Sequence, residues 1–247
     1  MRKVNIGLIC LLALALLVAV LGQATAAPLW YNGDFDTFNG LSSEKNTIVS
    51  AANTYDNFIV GGAGWNVDTV FSNELMTSNF PKTAHWEIRS GVSVGKGGTL
   101  IASGDSAATS VLTGRSGFGL LEWHVEVTGL NINLAPGTYW LTVSAIDSGN
   151  ERAFVSTTSG KNAIGSPPGN DDNSFFDSTF FGVTFGKATD QTGGDPFHAG
   201  GQGVDFSMGV GGNLLQQVPE PASLILLSIG IAGMAGYGWR RRKQSVA

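Results

Sequence analysis

Cysteine is all but missing: among 247 residues there is one, Cys10, inside an apolar N-terminal run. The rest of the chain can form no disulfide and offers no thiolate nucleophile or thiolate metal ligand, although many small secreted domains rely on disulfides. Histidine is scarce too. His85, His124 and His198 show no His-Glu-x-x-His or Cys-His spacing of the kind that binds zinc. Positive charge is thin: between residues 27 and 217, eight basic residues face 18 acidic ones, a formal charge near −10. Such a body repels nucleic-acid phosphates and anionic lipids, which argues against nucleic-acid binding, and contact with an acidic polymer needs bridging cations. Long apolar runs are confined to the two ends.

At the N-terminus, Met1-Arg2-Lys3 precedes an uncharged run from Ile6 to Leu21 and the small-residue stretch Ala24-Thr25-Ala26-Ala27. A basic start, an apolar middle and small residues two apart predict a secretory signal peptide over 1–26, cut after Ala26. At the C-terminus, Val218, Pro219, Glu220 and Pro221 lead into the uncharged stretch Leu224 to Trp239. Arg240, Arg241, Arg242 and Lys243 follow at once. Sixteen residues are short for a span, which takes roughly 20, but a snorkelling Arg240 extends the reach. The basic cluster is expected to stay cytoplasmic, so the body faces away from the cytoplasm as an inner-membrane-anchored precursor.

The Pro-Glu-Pro, the short apolar helix and the Arg-rich end resemble the PEP-CTERM sorting tail of Gram-negative bacteria, over about residues 218 to 243. That resemblance implies an exosortase as partner, an inner-membrane cysteine protease-transpeptidase that cuts near the tripeptide. It also implies release to the cell surface or extracellular matrix and an association with exopolysaccharide and biofilm. The tail is specific as a sorting signal and silent about the body. Tyr55-Asp56-Asn57-Phe58, Trp86 to Gly91 and Gly137 to Trp140 are also similar to bodies of several PEP-CTERM proteins, and carry over no catalytic residue.

Residues 27–217 form one domain between the signal and the sorting tail at 218–247. They are rich in Gly, Ser, Thr, Asn, Val and Phe, which favours strands and turns. Leu121 to Val127 alternates, with Leu121, Trp123, Val125 and Val127 on one face and Glu122, His124 and Glu126 on a wet one. Thr138 to Ala145 alternates again after Ala135-Pro136-Gly137, and the two strands read as an antiparallel hairpin. Weaker strands are predicted at 58–60, 65–71, 85–89, 99–102, 153–157, 180–185 and 204–208, with a long surface loop at 160–173. The expected fold is all-β: an antiparallel β-sandwich with a jelly-roll-like arrangement.

Gly91-Val92-Ser93-Val94-Gly95 matches a nucleophile elbow, but Lys96-Gly97-Gly98 reads as a turn where the elbow needs a helix. Glu122 and Glu126 flank His124 on one strand and do not face each other across a cleft. No catalytic residue is assigned. Asn170-Asp171-Asp172-Asn173 and Asp177 crowd oxygen donors into one loop, where calcium is the fitting cation and a solvated polar turn is the plainer reading. No other cofactor is expected. Trp140 lies opposite Tyr139, Leu141 and Val143. It is either an exposed platform for a sugar face or covered by a loop; on the first reading Trp140→Ala leaves the fold intact. The leading expectation is a non-catalytic surface or matrix protein. A carbohydrate-binding module and a secreted hydrolase are the alternatives.

Overall fold

The computed structural model describes residues 28–78, 81–169, 171–192, 204–216, 227–231 and 234. The signal segment 1–26 and most of the tail, with Val218 to Pro221 and Arg240 to Lys243, lie outside the described residues. Residues 227–231 are helical and exposed, and no described helix is long and apolar enough to cross a membrane.

In chain order the body consists of β1 (Pro28–Tyr31), β2 (Phe35–Ser42), β3 (Glu44–Lys45), β4 (Asn53–Val60), β5 (Trp65–Met76), β6 (Thr83–Ser90), β7 (Thr99–Ala107), β8 (Thr109–Gly117), β9 (Leu120–Val127), β10 (Ile132–Leu134), β11 (Gly137–Ile146), β12 (Ala153–Thr158), β13 (Phe175–Ser178), β14 (Val183–Lys187), the short helix α1 (Ala188–Thr192), β15 (Asp205–Phe206) and β16 (Met208–Leu214). Two sheets result, antiparallel except for a short parallel pairing of β3 with β11. In the first, the long β5 is the spine. One edge pairs with β16 and then β12, and the other with β10 and then β9. β1, β2, β8 and β15 extend it outward. The second runs β14-β13-β4-β11-β6-β7.

The predicted hairpin is not formed. β9 pairs with β5 and β8 in the first sheet, whereas β11 pairs with β4 and β6 in the second. β10 intervenes: it stays on β5, and the Ala135-Pro136 turn then delivers the chain to the other sheet. Alternation reports which face a strand buries but not which neighbour it pairs with.

Both sheets contribute to one continuous apolar core. Leu141, Val143 and Ala145 of β11 face it from the second sheet, and Val125, Val127, Val155 and Val210 from the first. Trp30 stacks on Phe58 at 5.4 Å and Phe58 on Trp65 at 5.9 Å, so three rings pass from the first sheet to the second and back. Complete burial of such side chains contributes about 2–3 kcal/mol each in transfer terms. Where the chain leaves β1, Gly33 has φ +127°, and a Cβ there would lie 2.6 Å from Thr158 Oγ1. Only glycine lets the backbone pass so close, and this fixes the direction of its neighbour Asn32.

Candidate functional site

Trp140 is buried, 7 % exposed, and its indole nitrogen donates to the carbonyl of Asn173 at 2.9 Å. Tyr55, Val92, Phe175 and Phe185 complete a second apolar cluster around it. The exposed-platform reading is therefore corrected: β13, β14 and the preceding loop cover the outer face of β11, as the other reading of this strand had it. Trp140→Ala would open a cavity in place of removing a surface ring, and an intact fold is no longer the expected outcome.

At Gly91 to Gly98 the chain forms the turn expected there, not an elbow. Ser93 and Lys96 pair through their backbones in a tight turn that runs on into β7 without a helix. On β9, Trp123, Val125 and Val127 pack toward the core as expected, but Glu122 on the opposite face is fully buried and not wet. Arg115 Nε reaches its Oε2 at 2.5 Å and Thr113 Oγ1 at 2.6 Å, both from β8, a strand the sequence did not reveal.

The side chains of the predicted calcium loop have different partners, and Asn170 lies outside the described residues. Asp172 Oδ1 accepts from Thr189 Oγ1 of α1 at 2.8 Å, Asp177 Oδ1 accepts from the Phe185 amide at 3.3 Å, and Asn173 uses its carbonyl on Trp140. Asp171 instead reaches two carboxylates from distant parts of the chain. Oxygens of Asp56 on β4, Asp171 in the loop and Asp205 on β15 all lie within 4.8 Å of one another. Asp56 and Asp205 are buried, and Asp171 is exposed.

Backbone amides support this group. Asp56 accepts from Asn57 N at 2.8 Å and Phe206 N at 2.6 Å, and Asp205 from Asp171 N at 2.6 Å. Two asparagines aim their amides into it. Asn32 Nδ2 donates to Asp56 Oδ2 and Asn57 Nδ2 to Asp171 Oδ2, each at 2.9 Å. Burial, and then the nearby Asp205 charge, push the Asp56 carboxyl well above its usual range.

Some carboxylates elsewhere face cations. On the outer face of the second sheet, Glu87 accepts from Arg89 Nε at 2.5 Å, Tyr55 at 2.8 Å and His85 Nε2 at 3.2 Å, while His85 Nδ1 meets Asp105 at 2.6 Å. Burial alone would raise the Glu87 carboxyl, but these partners hold it down at about 2. On the first sheet an open groove of about 340 Å³ is lined by Tyr31, Phe71, Asn73, Arg115 and His124. The His124 ring meets that of Phe71 at 4.5 Å, tilted by 43°, and Asn73 Oδ1 lies 2.9 Å from its Nδ1. Burial and then the Arg115 charge hold this histidine down at about 4, so it is neutral near pH 7.

Residues 217–243 match the PEP-CTERM protein-sorting motif. The chain carries a PEP-CTERM sorting signal. Its motif marks an exported, surface-sorted protein and implies an exosortase as processing partner. No curated protein and no solved structure matches the chain.

Proposed function

We propose that this PEP-CTERM chain is a non-catalytic surface or extracellular-matrix protein of a Gram-negative bacterium that associates with exopolysaccharide. The sorting motif at 217–243 carries the reading. In this account the apolar tail holds the precursor in the inner membrane with Arg240 to Lys243 on the cytoplasmic side. Exosortase then acts near Pro219 to Pro221, and a jelly-roll-like β-sandwich is released outward. Support for the sandwich comes from the one core that both sheets share. The body is acidic, so its hold on a polymer rests on neutral sugar faces or on bridging cations.

A second reading, a carbohydrate-binding module, is favoured by the groove on the first sheet. Tyr31 and His124 offer rings there over a floor that includes Phe71, with Arg115 as a polar donor beside them, the mixture that sugar sites use. The test is retention on polysaccharide isolated from the same cells. Wild-type chain is expected to be retained. If Tyr31→Ala lowers retention severalfold at unchanged circular dichroism, the groove is the binding surface. No retention of wild-type chain, with or without calcium, contradicts the polysaccharide association.

A further inference from the structure

The loop between β12 and β13 spans residues 159–174 with no strand among its described residues, yet Asp171 brings it against both sheets. Three acidic side chains in contact are not by themselves a site, because a shared proton relieves their repulsion equally well. The neighbouring asparagines add a different observation. Asn32 and Asn57 are 1 % and 3 % exposed, and each turns its NH₂ onto a carboxylate of the group. Among the described residues, no hydrogen-bond donor reaches the buried amide oxygen of either. A buried carbonyl in that condition is costly, and two side by side around one acidic group are unusual.

A half-turn of each amide exchanges nitrogen for oxygen at nearly the same place. Against bare carboxylates the NH₂ must point inward. Against a cation held between them, the oxygen can. The five side chains are therefore built to serve as oxygen ligands once positive charge occupies their common centre.

We propose that Asp56, Asp171 and Asp205, together with the side-chain oxygens of Asn32 and Asn57, form a calcium site that clips the two sheets and the 159–174 loop to one another. All five donors are oxygens, with no imidazole or thiolate, as hard cations require. Three carboxylates and two amides leave room for second carboxylate oxygens or water to complete the roughly six to eight contacts that calcium takes. Magnesium fits less well, because it keeps its water and demands a tight octahedron. The ligands come from β1's exit, β4, the loop and β15, so one ion closes several long chain loops at once. An exported body without a cysteine gains the cross-link that a disulfide gives other secreted domains. The inference stands whether or not the body binds polysaccharide.

The test uses the full-length chain in detergent, stripped with EDTA and titrated with calcium chloride in a calorimeter and in a thermal melt. One ion is expected per chain. Tm should rise by roughly 5–10 °C at calcium a hundredfold above the dissociation constant, with a smaller rise in magnesium. Asp205→Asn, which keeps the shape of the side chain, and Asp171→Ala, at an exposed loop position, should each abolish the rise. Asp172→Asn and Asp177→Asn should leave it intact. Asp171→Ala also keeps the test decisive should the buried substitution fail to fold. No binding heat and no Tm shift in the wild-type chain overturn the proposal, and so does a shift that persists in Asp171→Ala. An Asp205→Asn chain that melts higher in EDTA, alongside a wild-type chain indifferent to calcium, assigns the group to a shared proton and overturns it as well.

Discussion

The outer face of the second sheet and the joint between the two sheets both gather carboxylates, with opposite results. Around Glu87 each acid meets a base: Arg89, His85 and, for Asp105, Lys45 at 3.9 Å. Around Asp56 the charged neighbours in the group are Asp171 and Asp205. Glu87 is accordingly held down at about 2 and Asp56 is pushed up. Burial opposes ionisation in both places, so the difference lies in what faces the carboxylate. A protein with so few cations in its body has placed them on some acids and not on others.

The sharpest way to break this comparison is to remove a cation from a buried acid. Arg115→Ala strips the guanidinium from Glu122, which is fully buried, and from Asp34 at 2.9 Å. Arg115 itself is partly exposed, so a loss of about 2–4 kcal/mol in chemical denaturation is expected, somewhat below the cost of orphaning a fully enclosed charge. A loss under about 0.5 kcal/mol would mean that pairing is not what sustains these acids.

Glu74 sharpens the other half. It is wholly buried and accepts from Ser72 at 2.7 Å. Burial and then the Glu44 charge raise its carboxyl to about 8. Its folded value exceeds the unfolded 4.5, so the unfolded chain releases this proton first and stability falls as pH rises from 4.5 to 8. Glu74→Gln should flatten that fall and add about 1–3 kcal/mol at pH 8, read from denaturation midpoints across the range. A midpoint lowered at every pH would contradict the assignment of a neutral carboxyl.

The smallest effect is expected at His124. Its folded value of about 4 lies below the unfolded 6.5, so this group costs stability as pH falls from 6.5 toward 4. His124→Gln should remove that part of the acid-side decline, about 1 kcal/mol after discounting for partial exposure. The part of the decline that comes from Glu87, lost between 4.5 and 2, should persist unchanged.

These contrasts explain what the sequence could and could not reveal. Tyr139, Leu141, Val143 and Ala145 alternate against polar neighbours, and burial of one face followed from that. The reverse face of the same strand is buried too, because the chain returns about 33 residues later to cover Trp140, and no local pattern announces that return. β8 leaves no signature because Thr109 to Gly117 is a mostly exposed edge strand, rich in Ser, Thr and Gly, whose adjacent Val111 and Leu112 make no apolar period. Asp171 stands in a local crowd of oxygens, but that crowding gives no sign of the two distant carboxylates it meets. Asp56 pairs with the backbone 150 positions away at Phe206, a distance over which spacing carries no information. One hint was present: Tyr55-Asp56-Asn57 places two polar residues between Tyr55 and Phe58 in a segment otherwise suited to a buried strand. A charge at a core position asks for a partner.

Sorting of the chain depends on physics of a different kind, the cost of placing charge in hydrocarbon. Mass spectrometry of the mature ends, in cells with and without active exosortase, is the decisive measurement. The account predicts a body beginning near Ala27 and ending near Pro219 in the surface or medium fraction, with unprocessed tail retained in the membrane when exosortase is absent. Recovery of the chain from the cytosol at its translated mass, or of an intact Arg240 to Lys243 end from the medium, would contradict it.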